Sequence, residues 1–215
     1  TFRLRSVNSY SVRATNQDIS GEIEIPSTYN GLPVTHIEDA AFWYCANIEG
    51  VTIPDSVQSI GNNAFSYCDK LAYVNVGENS ELDSIGSQAF MECYMLTDIT
   101  NLLANVTGIH NETFQNCSKL PNVTFNPDLD EIGDRAFDDC DNITSLHIPA
   151  NVGFIGEDAF RGCMRLTSIT VDAANITYHS KNNCLIETET NTIILGCANS
   201  EIPRTVASIG GGAFS

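Results

Sequence analysis

Positive charge is scarce in this chain of 215 residues: 10 Lys and Arg stand against 27 Asp and Glu, for a formal net charge of -17. A phosphate backbone needs a basic footprint, so no nucleic-acid partner is expected. An anionic membrane surface would repel the chain. No apolar run approaches the roughly 18 to 20 residues of a membrane span, so no direct membrane insertion is expected either. Catalytic signatures are also missing. The four histidines, His36, His110, His147 and His179, are scattered and form no H-E-x-x-H. The eight cysteines include no C-x-x-C pair of the kind that holds zinc. Gly210-Gly211-Gly212 lacks the Lys-Ser/Thr of a phosphate loop. The acidic run Asp128, Asp130, Glu131, Asp134, Asp138, Asp139, Asp141 lacks the EF-hand spacing and reads as a solvated face. No enzyme, metal or cofactor is expected.

What is abundant is repetition. The string I-G-x-x-A-F-x-x-C recurs, with phenylalanines at Phe42, Phe65, Phe90, Phe114, Phe137, Phe160 and Phe214, separated by 23, 25, 24, 23, 23 and 54 residues. A cysteine follows three residues after each of the first six: Cys45, Cys68, Cys93, Cys117, Cys140 and Cys163. A step of about 20 to 29 residues marks a leucine-rich-repeat-like solenoid. A unit this short must bury its apolar face against its neighbours, which yields one elongated domain with a long surface of equivalent side chains. Such a surface suits binding better than catalysis.

In the repeat from 60 to 85, Ile60-Gly61 opens the unit. Ala64-Phe65-x-x-Cys68 reads as a short helical or 3₁₀ turn pointing inward. Leu71-x-x-Val74-x-Val76 has strand period, and Leu82-x-x-Ile85 leads into the next unit. Stacked units predict a mostly β, right-handed superhelix: a parallel strand ladder with the phenylalanines aligned as a spine. The glycine after Ile suits a bend where a side chain would be crowded. The spine cysteines are read as small buried hydrophobes.

Phe2 to Val7 and Tyr10 to Arg13 predict a capping hairpin around Asn8-Ser9. The organisation expected is a cap and first partial coil over 1–36, six tandem repeats over 37–172, an inserted β-hairpin over 173–200, and the start of a truncated repeat over 201–215. The hairpin is expected to project from the solenoid edge, with Cys184 and Cys197 either bridged or free. The chain begins without Met and stops at Ala213-Phe214-Ser215, mid-repeat, and is read as a piece of a longer protein. Its uncapped C-terminal edge is expected to permit self-association. Six N-x-S/T sequons occur, at Asn105, Asn111, Asn116, Asn122, Asn142 and Asn175.

The motifs Ile60-Gly61-x-x-Ala64-Phe65-x-x-Cys68-x-x-Leu71, Ile132-Gly133-x-x-Ala136-Phe137-x-x-Cys140 and Ile155-Gly156-x-x-Ala159-Phe160-x-x-Cys163-x-x-Leu166 resemble the BspA-type leucine-rich repeats of bacterial surface proteins. The resemblance spans essentially the whole chain. Repeat three ends Ile99-Thr100-Asn101 without Ile-Pro, and repeat four opens Ile109-His110 with Thr113 for Ala; both read as drift around a kept core. The resemblance implies a non-enzymatic, adhesin-like module, secreted or on the cell surface. It would bind host matrix proteins, cell-surface proteins or glycans. The alternative is a structural spacer with no ligand of its own. The variable positions of L-x-x-I-x-I form a Thr/Ser/Asn lawn on one sheet face, from Glu24, Thr52 and Asn75 to Thr170 and Glu201. Within it Tyr73, Asn75, Asn122 and His147 are the candidate ligand-binding residues, Tyr73 because aromatic residues anchor interfaces.

Overall fold

The computed structural model describes residues 1–215 and contains strands and turns but no helix. Six coils, named first to sixth by Phe42, Phe65, Phe90, Phe114, Phe137 and Phe160, stack their rings face over face. Centroids lie 5.0, 5.4, 5.5, 5.3 and 5.4 Å apart, and planes are within 13° of parallel. The spine ends there. Phe214 is 48% exposed and its ring lies over Gly196 instead.

The Ala-Phe-x-x-Cys segments are turns, not the expected helical or 3₁₀ turns, because alternate N–H groups leave their own coil. In the second coil the N–H groups of Asn63, Phe65 and Tyr67 donate to Ser87, Ala89 and Met91 of the next coil. Those of Ala64, Ser66 and Cys68 donate back to Gly61, Asn63 and Phe65. A helix would claim all of them internally. The alternation sets positive φ at the second x of each pair, as at Asn63 (φ 55), Tyr67 (φ 60), Arg135 (φ 52) and Asp139 (φ 57).

The spine thiols do more than fill space. Cys68, Cys93, Cys117, Cys140 and Cys163 each donate Sγ–H to the Phe carbonyl one coil back, at 3.1–3.4 Å. Each of those carbonyls also accepts the Cys N–H of its own coil, so both lone pairs are used. All eight cysteines are free, Cys184 and Cys197 included.

Two parallel ladders flank the spine. One joins Ser20–Glu24, Asn47–Ile53 and Tyr73–Val76, then resumes as Ser145–Ile148 paired with Ser168–Val171. The other joins Leu32–Ile37, Ser59–Ile60 and Ser84–Ile85, then resumes as Gly108–Ile109, Glu131–Ile132 and Phe154–Ile155. The N-terminal hairpin, Phe2–Ser6 with Ser9–Val12, sets its second strand parallel to Leu32–Ile37 as the first rung. The insert is Tyr178–Lys181, Cys184–Glu187 and Thr192–Leu195, an antiparallel meander. It does not project as expected. Cys184, Leu185, Ile186 and Ile193 are at most 1% exposed, and Ile193 pairs in parallel with Ile209. Burying these aliphatic side chains outweighs leaving the hairpin free in solvent.

Both ladders are broken between the third and fourth coils: the second at that joint alone, the first from beyond the isolated Tyr73–Asp98 bridge until it resumes at Ser145–Ile148. The residue after Ile explains it. A Cβ on Gly61, Gly86, Gly133 or Gly156 would lie 2.4–2.6 Å from the previous coil, against the Asx residue there; these glycines are required by close approach. In the fourth coil that position is His110. The N–H of Gly61, Gly86, Gly133 and Gly156 each reaches the Ile carbonyl one coil back, whereas His110 makes no such bond. A second link fails at the same joint. Asp39, Asn62, Asn111 and Asp134 each accept the N–H of the equivalent residue in the next coil, at 2.7–3.0 Å. Ser87 holds that position in the third coil and makes no equivalent bond. Repeat-four drift is therefore a structural seam, where backbone-to-backbone hydrogen bonds remain only on the turn side, from Gln88 to Asn111, Phe90 to Thr113 and Glu92 to Gln115.

Gly156→Ala is expected to cost on the order of 1–3 kcal/mol, because its Cβ would sit 2.4 Å from the Asp134 backbone nitrogen. Gly211→Ala, with nothing within 4 Å, is the control and should be near neutral. A urea midpoint unchanged in Gly156→Ala would refute the crowding argument.

Candidate functional site

The sheet face is built from rows of residues in register across coils. One row runs Glu22, Gly50, Tyr73, Asp98, and the next runs Glu24, Thr52, Asn75. Along each strand the apolar residues turn inward, Ile48, Val51, Ile53 and then Val74, Val76, all at most 1% exposed. Alternation leaves Glu49, Thr52, Tyr73 and Asn75 on the outer side. Tyr73 does not stand upright on this face. Gly50 has no side chain, and the Tyr73 ring lies over it; a Cβ there would meet Cζ at 2.0 Å. Desolvation in that position, and then the carboxylates of Glu22 and Glu49, hold the phenol above its ordinary pKa. The result is a flat aromatic surface in a row with Glu22 on one side and Asp98 on the other.

The other candidates lie apart. Asn75 is exposed beside Thr52. Asn122, in the fourth coil, has its Oδ1 engaged by the N–H groups of Thr144 and Ser145 at 2.8 and 3.0 Å. It therefore caps the next coil with its carbonyl and offers solvent only its amide nitrogen. His147 is exposed on the fifth coil, with Nδ1 3.0 Å from Thr170 Oγ1. Tyr73 and His147 are three coils apart, about 15 Å at ladder spacing. Glu201 does not continue the lawn: it belongs to no strand, and its N–H bonds to Asn182 at the meander.

Between Tyr73 and His147 the face opens into a cleft of ≈ 490 Å³ at the seam. Thr97, Asp98, Thr100 and Asn101 form one wall, and Asn122, Thr124 and Asn126 the other. Two substitutions shape it. Where other coils carry Ile53, Val76 or Ile148, the third has Asn101, whose φ of 61 turns it out of the strand and whose amide donates to Val76 at 3.1 Å. The fourth has Phe125, buried edge-on to Phe137 with centroids 5.7 Å apart. One residue leaves the ladder and the other is too large for it. The missing Ile-Pro ending of repeat three is the sequence signal for this cleft.

The acidic run is less solvated than expected. Asp138 has no exposed side-chain surface and accepts from Arg161 Nε and Nη2 at 2.9 and 2.8 Å and from Gln115 at 3.0 Å. Asp134 is spent on the Glu157 N–H. No group of three or more His, Cys, Asp or Glu is placed to hold a metal ion. The sequon asparagines are also built into the stack. The side-chain nitrogens of Asn105, Asn116, Asn142 and Asn175 donate to Ser80, Glu92, Lys119 and Pro149 of the preceding coil. On the turn face, Tyr44 stacks on Tyr67 at 4.4 Å and Trp43 closes edge-on at 4.5 Å, so these rings spend their faces on one another.

Comparison with known proteins agrees with this architecture. No helix is long and apolar enough to cross a membrane. None of the curated proteins matches the sequence. Among solved structures, a leucine-rich cell surface protein of Faecalibacterium prausnitzii is 30% identical. It aligns over 99% of this chain and 71% of its own with a TM-score of 0.78. A leucine-rich-repeat protein of T. pallidum is 27% identical, over 80% of both chains, with a TM-score of 0.72. The pneumococcal vaccine antigen PcpA shares the fold at 20% identity and a TM-score of 0.76, over 97% of this chain and 58% of its own. The model of the BspA-type leucine-rich repeat region matches six copies across residues 35–167 and 83–215. With repeat grammar, coil geometry and relatives in agreement, the chain belongs to the BspA-type leucine-rich repeat family.

Proposed function

We propose that this chain is a non-enzymatic binding module of the cell surface, adhesin-like, which docks a protein partner across its sheet face. The observation that carries this reading is the flat Tyr73–Gly50 surface beside the cleft, an aromatic anchor next to a recess on an otherwise small, polar face. Interfaces concentrate their energy on such anchors. Host matrix and cell-surface proteins are the partners tested first, with glycans as the second class. The surface setting is supported by the F. prausnitzii relative, which is described as a cell surface protein. Leucine-rich repeats of this family are generally non-enzymatic.

The test is binding of the protein to a panel of extracellular-matrix proteins and glycans at physiological salt, with Tyr73→Ala/His147→Ala in parallel. Both side chains lie on the surface, so the double variant should keep its thermal midpoint while losing affinity by tenfold or more. Equal binding by the variant would remove the sheet face from consideration. Absence of binding across the panel would favour a spacer role.

A further inference from the structure

The fourth coil carries a run of backbone that the fold leaves unused. From Asn122 to Asn126 no N–H donates a hydrogen bond, and the only carbonyl that accepts one is that of Asn126, from Leu129. The equivalent residues of the second and fifth coils are strands, Tyr73–Val76 and Ser145–Ile148. The run keeps their pattern: Val123 and Phe125 turn inward, Phe125 being 8% exposed, while Asn122 and Thr124 are exposed. Paired backbone is the rule in folded proteins, and an unpaired row of this kind is a template for another strand. This row borders the cleft, whose opposite wall is Thr97–Asn101.

We propose that the seam receives an extended, lysine- or arginine-bearing polypeptide segment of a partner protein, which adds as a strand against Asn122–Asn126. The proposal rests on the reading of the sheet face as a protein-binding surface. Main-chain bonds supply affinity in strand addition, and alternate side chains supply selectivity. Charge selects the occupant. Asp98 is the one ionisable side chain in the lining, and no Lys, Arg or His accompanies it. The Thr100 hydroxyl, at 2.5 Å, and the Thr100 N–H both donate to Asp98 and hold it ionised below the ordinary carboxylate range. Asp98 is in register with Tyr73, so a cationic side chain leaving the cleft meets a carboxylate and then an aromatic face.

The probe is the capped peptide Lys-Thr-Val-Thr-Lys-Thr-Val-Thr-Lys, compared with the same peptide N-methylated at alternate residues and with a Glu-for-Lys version. Amide exchange is read residue by residue. Free protein should exchange Asn122–Asn126 at least tenfold faster than Ser145–Ile148. The lysine peptide should slow that exchange tenfold or more, and both control peptides should not. Slow exchange in the free protein, no slowing with the lysine peptide, or equal effect of the N-methylated peptide would each overturn the proposal. Thr124→Pro removes an N–H that has no partner within the chain. It should keep the thermal midpoint and abolish the peptide effect. If matrix-protein binding falls in Tyr73→Ala/His147→Ala but not in Thr124→Pro, the face binds and the seam does not.

Discussion

Above about pH 9 the protein is expected to unfold over a narrow pH range, and the buried thiols are the cause. Cys93, Cys117 and Cys140 are fully buried at 0% exposure, and burial pushes their pKa well above the ordinary thiol value of 9.0. Cys68 is raised by the same cause, and Cys163 is raised to about 12. The folded state thus holds protons that the unfolded chain gives up. With the folded pKa raised, this stability is fully present below the unfolded value and is lost as pH climbs through the window from about 9 toward 12. Each thiol contributes roughly 1.4 kcal/mol per pH unit inside that window. Five such thiols give a slope on the order of 5–7 kcal/mol per pH unit, against a total stability of about 5–15 kcal/mol for an ordinary domain. Urea unfolding under reducing conditions at steps from pH 7 to pH 11 measures the slope. The triple variant Cys93→Ala/Cys117→Ala/Cys140→Ala should start less stable but show a visibly flatter pH dependence. An identical slope in both proteins would mean that the thiols do not drive alkaline unfolding. In the same molecule at pH 8, the half-buried Cys197 should alkylate first and the spine thiols only on unfolding.

Phe114→Ala should have the second large effect, and its form matters more than its size. Truncating a buried phenylalanine costs about 3–5 kcal/mol, and Phe114 is wholly buried between Phe90 and Phe137. Its position at the seam adds a second consequence. Across that joint both ladders are broken, so the links that remain are the turn-side hydrogen bonds, the Phe90–Phe114 stack and the bond from Cys117 Sγ to the Phe90 carbonyl. Stability in a stacked array depends on the interface between neighbours. Weakening this interface should separate the first three coils from the rest and replace one unfolding transition by two. Phe65→Ala removes the same volume where both ladders are continuous or bridged, so it should lower the midpoint within a single transition. Calorimetry of the two variants decides the matter. If both unfold in one step with equal enthalpy, the seam is no weaker than the other joints.

The sequence was readable wherever one residue type recurs for one reason. Phe, Ala and Cys at fixed offsets mark a core stacked on copies of itself, and they fall on the spine. The glycine after Ile was legible as a crowding position, and the contacts of Gly61, Gly86, Gly133 and Gly156 give the cause. The Asx residue after it was less so, because Asp39, Asn62, Asn111 and Asp134 look like ordinary loop residues until the N–H they accept is seen one coil away. The candidate surface divides similarly. Tyr73 was picked out by type, but its posture depends on Gly50, 23 residues earlier in the chain. Asn122 was chosen as a surface amide, and its carbonyl proves to be committed to Thr144 and Ser145.

The repeat alone determined the solenoid, its spine and the burial of the cysteines, because a unit of 23–25 residues has no other way to bury its Phe and Cys than against the next unit. Tertiary structure alone decided where that regularity fails. His110, Asn101 and Phe125 each differ modestly from the pattern, and each is tolerable by itself. Their effects meet because they fall on two adjacent coils, where one excludes close approach, one turns out of the strand and one overfills it. The seam and its cleft are properties of that juxtaposition, set by distances between residues that lie up to 24 positions apart in the chain.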